Sequence, residues 1–272
     1  MGKLIITVAP TGSVPKKKDN PNVPVTPREV VECALRCEDQ GASILHIHAR
    51  DGKENPSDDP AFFQEVVETL RGRSQLILQV STGGRAGTDL ESRIKRLQVR
   101  PEMASLTTGS VNFPTSVYAN PPDLVEALAR EMLRLGIKPE MEIFDLSMIP
   151  NAVSLAQKGL AKEPLHFNFV MGLRGAIPAS IEHLVHMRQC LPPGSTWTVS
   201  GIAAAQLRMG LHAILMGGHV RVGLEDNLLV SKGELATNEQ LVSRVARWSR
   251  ELGRDVATPQ EARAILGLGA AA

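Results

Sequence analysis

Two imidazoles, His46 and His48, stand two positions apart in Ser43-Ile44-Leu45-His46-Ile47-His48-Ala49-Arg50, a run with the composition of a β-strand. Side chains at i and i+2 of a strand point to the same face. Both rings therefore lean into one small volume, as a divalent metal requires. A second polar cluster, Gly218-His219-Val220-Arg221-Val222-Gly223-Leu224-Glu225-Asp226-Asn227, lies far downstream and offers an acidic third ligand. Two imidazoles and a carboxylate suit a zinc-type catalytic site with one open position. The same histidines would also serve as hydrogen-bonded core residues, and spacing alone leaves both readings open. Arg50-Asp51-Gly52 follows as a charged turn, a place where sites gather more than cores.

Other polar residues interrupt apolar runs. Ser81-Thr82-Gly83-Gly84 offers hydroxyls and unhindered backbone N–H groups, suited to a carboxylate or phosphate, or is a simple turn. Ser105 and Thr107 end one apolar run, and Glu142 and Asp145 lie on another. An unpaired Glu142 carboxylate would be costly in an apolar strand, so it is paired with a cation or belongs to a site. Arg221 needs Asp226, Glu142 or a substrate carboxylate for the same reason. Lys16-Lys17-Lys18 reads first as a solvated loop and second as a phosphate clamp.

The elements that position these residues form a rhythm. Apolar strand-length runs (4–9, 43–49, 76–80, 103–106, 140–145, 165–170, 196–199 and 219–223) alternate with amphipathic helix-length segments. The helices are expected at 27–40, 60–70, 89–97, 122–135, from the fifth strand to about 158, and at 178–190, 202–216 and 238–252. Thr26, Pro27 and Glu29 form a capping signal, and Gly41 a C-terminal stop. Eight βα units of roughly 34 residues predict a single-domain α/β (β/α)8 TIM barrel spanning 1–272. A short capped helix at 258–266 extends it at the C-terminus. The strands read as continuous apolar runs, as when both faces are covered. An open doubly wound sheet would carry a phosphate fingerprint in its first βα turn, whereas Ala9-Pro10-Thr11-Gly12-Ser13 has none. Barrel enzymes keep their sites at the C-terminal strand ends, where these polar residues collect. Strands two and eight both flank strand one, so their ends face each other.

Composition narrows the function classes. The 272-residue chain carries 30 Lys+Arg against 29 Asp+Glu, a net +1 that favours neither nucleic acid nor an anionic membrane. Aromatic content of 3% leaves few platforms for base stacking. No apolar stretch approaches the roughly 20 residues of a membrane span. The N-terminus runs straight into a strand, with no secretory signal expected. Three cysteines, Cys33, Cys37 and Cys190, argue against a disulfide framework and fit a reducing cytoplasm. Cys33 and Cys37 share one helix face, where packing is preferred over a metal site.

The segments His46–Asp51, Gln79–Gly84, Pro101–Ser105, Glu140–Asp145 and Gly217–Asn227 together resemble the β-keto acid cleavage enzymes, in order, from Leu4 to Leu266. That resemblance implies a (β/α)8 barrel, zinc, a homotetramer, and a reaction in which a β-keto acid and acetyl-CoA give acetoacetate and a new acyl-CoA. It implies His46, His48 and Glu225 as metal ligands. Ser81, Glu142, Arg221 and Asp226 fall at catalytic positions, with Asp226, oriented by Arg221, as base. Ser105, Thr82, Gly83, Gly84 and Thr107 are expected to bind substrate, and Ser81 with the Gly83 and Gly84 amides to hold its carboxylate. The lysine-fermentation member has a threonine at the position of Ser105 and, in the first βα loop, a glutamate for the substrate ammonium. Val14 stands at that loop position here. A neutral, apolar or anionic β-keto acid is therefore expected, with Lys16 or Lys17 available to an anionic tail. A metal-dependent lyase or aldolase without CoA, and a barrel holding its metal only for structure, are the competing classes. Acetyl-CoA dependence separates the first, and an open coordination position the second.

Overall fold

The structure is a computed structural model describing residues 2–86 and 89–269. Parallel strands close into a barrel in which each pairs with its neighbours in the chain: β1 Ile6–Val8, β2 Ile44–Ile47, β3 Ile77–Val80, β4 Met103–Thr107, β5 Lys138–Ile143, β6 His166–Met171, β7 Thr196–Gly201 and β8 His219–Val222. β8 and β2 both pair with β1, which closes the ring and brings the histidine strand near the Arg221 strand. Around it lie α1 Pro27–Asp39, α2 Pro60–Arg71, α3 Leu90–Lys95, α4 Pro122–Leu135, α5 Met148–Gln157, α6 Ile181–Gln189, α7 Ala205–Met216 and α8 Asn238–Glu251. The expected (β/α)8 barrel is thus the observed one. No helix among the described residues is long and apolar enough to cross a membrane.

Local chemistry explains most boundaries. Thr26 caps α1 through a capping box with Glu29. α6 begins at Ile181 because Ser180 accepts the His183 N–H as its cap. α7 begins at Ala205, after a loop in which Ala203 is left-handed (φ 51°). The third helix ends at Lys95 and continues as a 3-10 turn over Arg96–Val99. β2 stops at Ile47, and Ala49–Arg50 leave the barrel to pair with Pro56–Ser57. Two more hairpins, Val111–Phe113 with Ser116–Tyr118 and Leu229–Ser231 with Glu234–Leu235, follow β4 and β8.

The strands alternate more than the expected apolar runs suggested. Leu45, Ile47, Val80, Met141, Ile143, Phe167, Phe169, Val220 and Val222 pack in the main core beneath the helices. The intervening His46, Gln79, Glu140, Glu142, His166, Asn168, Ser200, His219 and Arg221 are also buried. With a side-chain period of two, these line the barrel interior, which is therefore largely polar. Only its N-terminal mouth is apolar: Ile5, Ile44, Ile77 and Met103 meet Ala257, Ala262 and Leu266. The last two belong to α9 Pro259–Leu266, which seals that end as the expected C-terminal helix. Arg263 anchors it through Glu102, at 2.6 and 2.8 Å.

Candidate active site

At the open mouth, His46 at the end of β2 and His48 just beyond it turn both Nε2 atoms toward Glu225. Nε2 of His46 and Nε2 of His48 are 3.2 Å apart; Glu225 lies 3.4 Å from His48 and 3.9 Å from His46. Tetrahedral zinc with bonds of about 2.0–2.1 Å spaces its ligand atoms by about 3.4 Å. The three residues fit such an ion, with the cavity side left open. Glu225 Oε2 supplies an independent sign, being buried without a hydrogen-bond partner. Outer contacts fix both rings. Gln79 Oε1 lies 2.6 Å from His46 Nδ1, and Ser13 Oγ 3.2 Å from His48 Nδ1. Gln79 as acceptor places the proton on Nδ1 and leaves the Nε2 lone pair for a metal. The carboxamide sits there because Gln79 is in register with His46 across the β2–β3 ladder.

The electrostatics suit that use. Burial, then the Arg221 cation, hold the His46 imidazole down to about 4, so it is neutral at physiological pH. Burial pushes the Glu225 carboxyl up, but Arg221 and both imidazoles outweigh it and keep it well below the carboxylate range. Arg221 holds Asp226 through two 2.9 Å contacts and reaches Glu225 at 2.6 Å. Its Nη1 is buried without a partner, 3.9 Å from Glu142. Burial lifts Asp226 to about 6 despite Arg221, helped by the neighbouring Glu225 charge. Burial lifts Glu142 to about 7, against Arg221 and a 2.6 Å hydrogen bond from Thr107.

Two glycines permit this approach of loops. Gly12 is left-handed (φ +63°), and a Cβ there would lie 2.4 Å from Glu225 Cγ. A Cβ on Gly223 would lie 2.1 Å from the Ala9 carbonyl, so only glycine lets the Glu225 turn cross β1. Arg50 is buried, and its guanidinium donates to the carbonyls of Gly12, Thr11, Pro15 and Glu54. It clamps the first loop from behind, and Asp51 ties its own turn through the Lys53 and Asn55 N–H groups.

A cavity of about 1380 Å³ opens over the cluster and is walled by His48, Glu142, Arg221, Glu225 and Asp226. Ser81, Gly83, Gly84 and Val14 also face it, and Val14 is 60% exposed. Three expected substrate contacts lie off this wall. Thr82 is buried, donating to the Ser105 carbonyl at 2.6 Å, while its N–H meets Ser105 Oγ at 3.3 Å. Thr107 is spent on Glu142. The Gly83 N–H donates to Ser81 Oγ, which leaves the Ser81 O–H as the free donor. Lys16 and Lys17 do not reach the cavity either: Lys16 meets Asn55 at 3.1 Å and Lys17 pairs with Glu29 at 2.6 Å. Asp145 is exposed and holds Ser147. Residues that the strand pattern did not single out border the cavity instead: Tyr118, whose hydroxyl is 3.0 Å from Thr107, and Arg85, Arg174 and Lys232.

Comparison with known proteins gives the chain its relatives. The beta-keto acid cleavage enzyme profile matches residues 3–268. The chain is 51% identical over 269 residues to the 3-oxoadipate:acetyl-CoA acetyltransferase of Cupriavidus necator, covering 97% of this chain and 94% of that one. It is 43% identical to the 3-keto-5-aminohexanoate cleavage enzyme of Fusobacterium nucleatum, covering 98% and 99%. Among solved structures, apo ObcA superposes with a TM-score of 0.80 at 22% identity, over 92% of this chain and 66% of that one, a likeness of fold alone. A profile that runs almost the whole length, joined to relatives covered nearly end to end, places this chain in the beta-keto acid cleavage enzyme family.

Proposed function

We propose that this chain cleaves a β-keto acid with acetyl-CoA, giving acetoacetate and a new acyl-CoA. The observation that carries this is the convergence on one cavity of a three-ligand cluster and the buried Asp226–Arg221 pair. The names of relatives that use acetyl-CoA support it. His46, His48 and Glu225 would hold the metal, which we take as zinc. Bound there, it would polarise the β-keto oxygen and stabilise developing negative charge.

The chain's own residues do the rest. The Ser81 O–H and the free Arg221 Nη1 orient the substrate carboxylate. Asp226, whose carboxylate burial makes more basic by lifting it to about 6, takes a proton from the carbon between keto and carboxylate groups. That carbanion attacks the acetyl thioester carbonyl, forms a carbon–carbon bond and releases CoA thiolate. The thiolate attacks the original keto carbon. The old carbon–carbon bond breaks, acyl-CoA forms, and the departing carbanion recovers the proton from Asp226 as acetoacetate. Glu142, lifted to about 7, is the second group able to hold a proton in this cavity.

Val14 offers no carboxylate to a substrate ammonium. Arg85, Arg174 and Lys232 border the cavity and make no ion pair among the described residues. We therefore propose a 3-oxo acid with an anionic tail, like the substrate in the name of the C. necator relative. Asp19, the first-loop carboxylate that also borders the cavity, is what an ammonium tail would find on that loop instead of Val14. We further propose that the whole chain is one catalytic domain acting in the cytoplasm as a homotetramer. Ile181 and Val185 on α6 and Leu215 on α7 are exposed aliphatic side chains that assembly would cover.

The test is acetoacetate formation from 3-oxoadipate, 3-keto-5-aminohexanoate and an unsubstituted 3-oxo acid, with and without acetyl-CoA, on metal-replete and chelated protein. Turnover needing both metal and acetyl-CoA is expected, with the dicarboxylate preferred. Cleavage without acetyl-CoA would replace the proposal by a lyase, and preference for the amino substrate would overturn the tail assignment.

A further inference from the structure

We propose a second metal centre, for a thiophilic divalent cation, made by the thiols of Cys33 and Cys37 on α1 and the carboxylate of Glu239 on α8. Its ligand atoms all lie within 4.8 Å of one another, and the two sulfurs are 4.0 Å apart. A tetrahedral ion with metal–sulfur bonds of about 2.3 Å spans about 3.8 Å between thiolates. Little movement is needed to close the site.

The sequence builds this arrangement from two helices. Cysteines at i and i+4 share one face of α1. Thr237 caps α8, which puts Glu239 in its first turn. Arg36 grips Glu239 Oε1 at 2.6 Å, holding the carboxylate beside the thiols. An entry path is present: a cleft of about 420 Å³ opens onto Cys33 and Glu239, with Cys37 buried behind them. Two thiolates select zinc, cadmium and similar soft ions over magnesium or calcium. Binding displaces one proton from each thiol and leaves a fourth position toward the cleft. No ligand is shared with the cluster at the barrel mouth. The cleft is nevertheless walled by Lys17 and Pro24, from the same loop that carries Ser13 to His48.

The test is a cadmium titration read by thiolate-to-metal absorption in the ultraviolet, in a Cys190→Ser background that removes the exposed third thiol. One equivalent is expected, with the band kept in His46→Ala, lost in Cys33→Ser and in Cys37→Ser, and weakened in Glu239→Gln. Both serine variants should still form acetoacetate. Maleimide labelling in the same Cys190→Ser background gives a readout that leaves the pair itself intact, and cadmium should protect Cys33. Absence of the band, its persistence in both serine variants, or unprotected thiols at saturating cadmium would each overturn the proposal. So would a Cys33–Cys37 disulfide formed under mild oxidation in protein that binds no cadmium.

Discussion

Glu140 and Glu142 are two residues apart on β5, face the same barrel interior, and are driven in opposite directions. Glu140 is fully buried. Burial pushes it up, but the 3.3 Å contact to His166 outweighs this and holds it at about 2. Asn168 donates to its other oxygen at 3.1 Å and accepts from Ser200 at 2.8 Å. His166 leans on Thr196 at 2.8 Å, and His219 accepts the Ile5 N–H at 3.1 Å. One storey up, burial wins at Glu142, while Arg221 Nη1 and Glu225 Oε2 lack partners. The lower layer completes its contacts within the protein, and the upper layer leaves groups aimed at a cavity. Glu140 Oε2 is an exception, near His166 but off a hydrogen-bonding line, and Thr7 Oγ1 and Gln79 Nε2 are two more buried atoms without a partner away from the cavity. A polar barrel interior is therefore not in itself a site, and unmet contacts beside an open volume mark where function lies.

The largest effects should come from the upper layer. Chelation, or His48→Ala or Glu225→Gln, is expected to lower acetoacetate formation by about 10³-fold or more, with little change in melting temperature beyond lost metal. Asp226→Asn should retain metal and lose about 10²–10⁴-fold in kcat, the range of a general base. A metal-loaded Asp226→Asn of near-normal rate would move the base to Glu142.

The glutamate pair sharpens the contrast. Leaving a buried hydrogen-bonding partner unmet costs about 1–3 kcal/mol, so Glu140→Gln, which disturbs the contacts to His166 and Asn168, should lower denaturant stability. Glu142→Gln should instead lose activity while folding well. Their pH dependences run oppositely on metal-free protein. Glu140 is depressed on folding, so its stabilisation is present above the unfolded value of about 4.5 and is lost as pH falls toward about 2. Glu142 is raised, so the protein loses stability as pH climbs from about 4.5 through about 7. The shift is worth up to about 3 kcal/mol. Glu142→Gln should therefore flatten stability between pH 5 and pH 8, as followed by urea midpoints. A slope unchanged by the variant would show that Glu142 is not held neutral by the fold.

Much of this was legible in the chain. Strand-length and helix-length runs alternate clearly enough to reveal the barrel, and i, i+2 spacing placed His46 beside His48. What stayed hidden depends on contacts across the sequence. The polar interior was masked because β1 to β3 are nearly all apolar, while the alternation is plain in Glu140-Met141-Glu142-Ile143 and His219-Val220-Arg221-Val222. Thr82 and Lys17 have site-like chemistry, but neighbours 12 to 23 residues away consume it. Ser13 lies in a loop and Tyr118 at the end of a three-residue hairpin strand, neither with enough periodicity to reveal it. Gln79 did carry a signal, a lone carboxamide in an apolar strand on the face of Ser81.

Gln79 gives a smaller effect. An outer-shell partner of a metal-binding histidine is typically worth 10–100-fold in affinity, so about that loss is expected for Gln79→Leu in chelator competition. Ser13→Ala, at the longer contact, should lose less. Equal affinity in Gln79→Leu would mean that packing of the ring, not this hydrogen bond, orients His46.

The smallest effect should come from Val14, at the exposed rim of the cavity. Val14→Glu places a carboxylate at an exposed rim, where an ion pair contributes about 0.2–1 kcal/mol. The ratio of kcat/KM for 3-keto-5-aminohexanoate over 3-oxoadipate should then rise by at most about fivefold, since 1.4 kcal/mol is a factor of ten. The change should appear in KM, because the tail is bound alike in ground and transition states. Adding Asp19→Asn separates the two carboxylates that an ammonium could meet. If Val14→Glu leaves the ratio unchanged and Asp19→Asn lowers it, Asp19 and not position 14 reads the tail, and the first loop discriminates substrates from its other end.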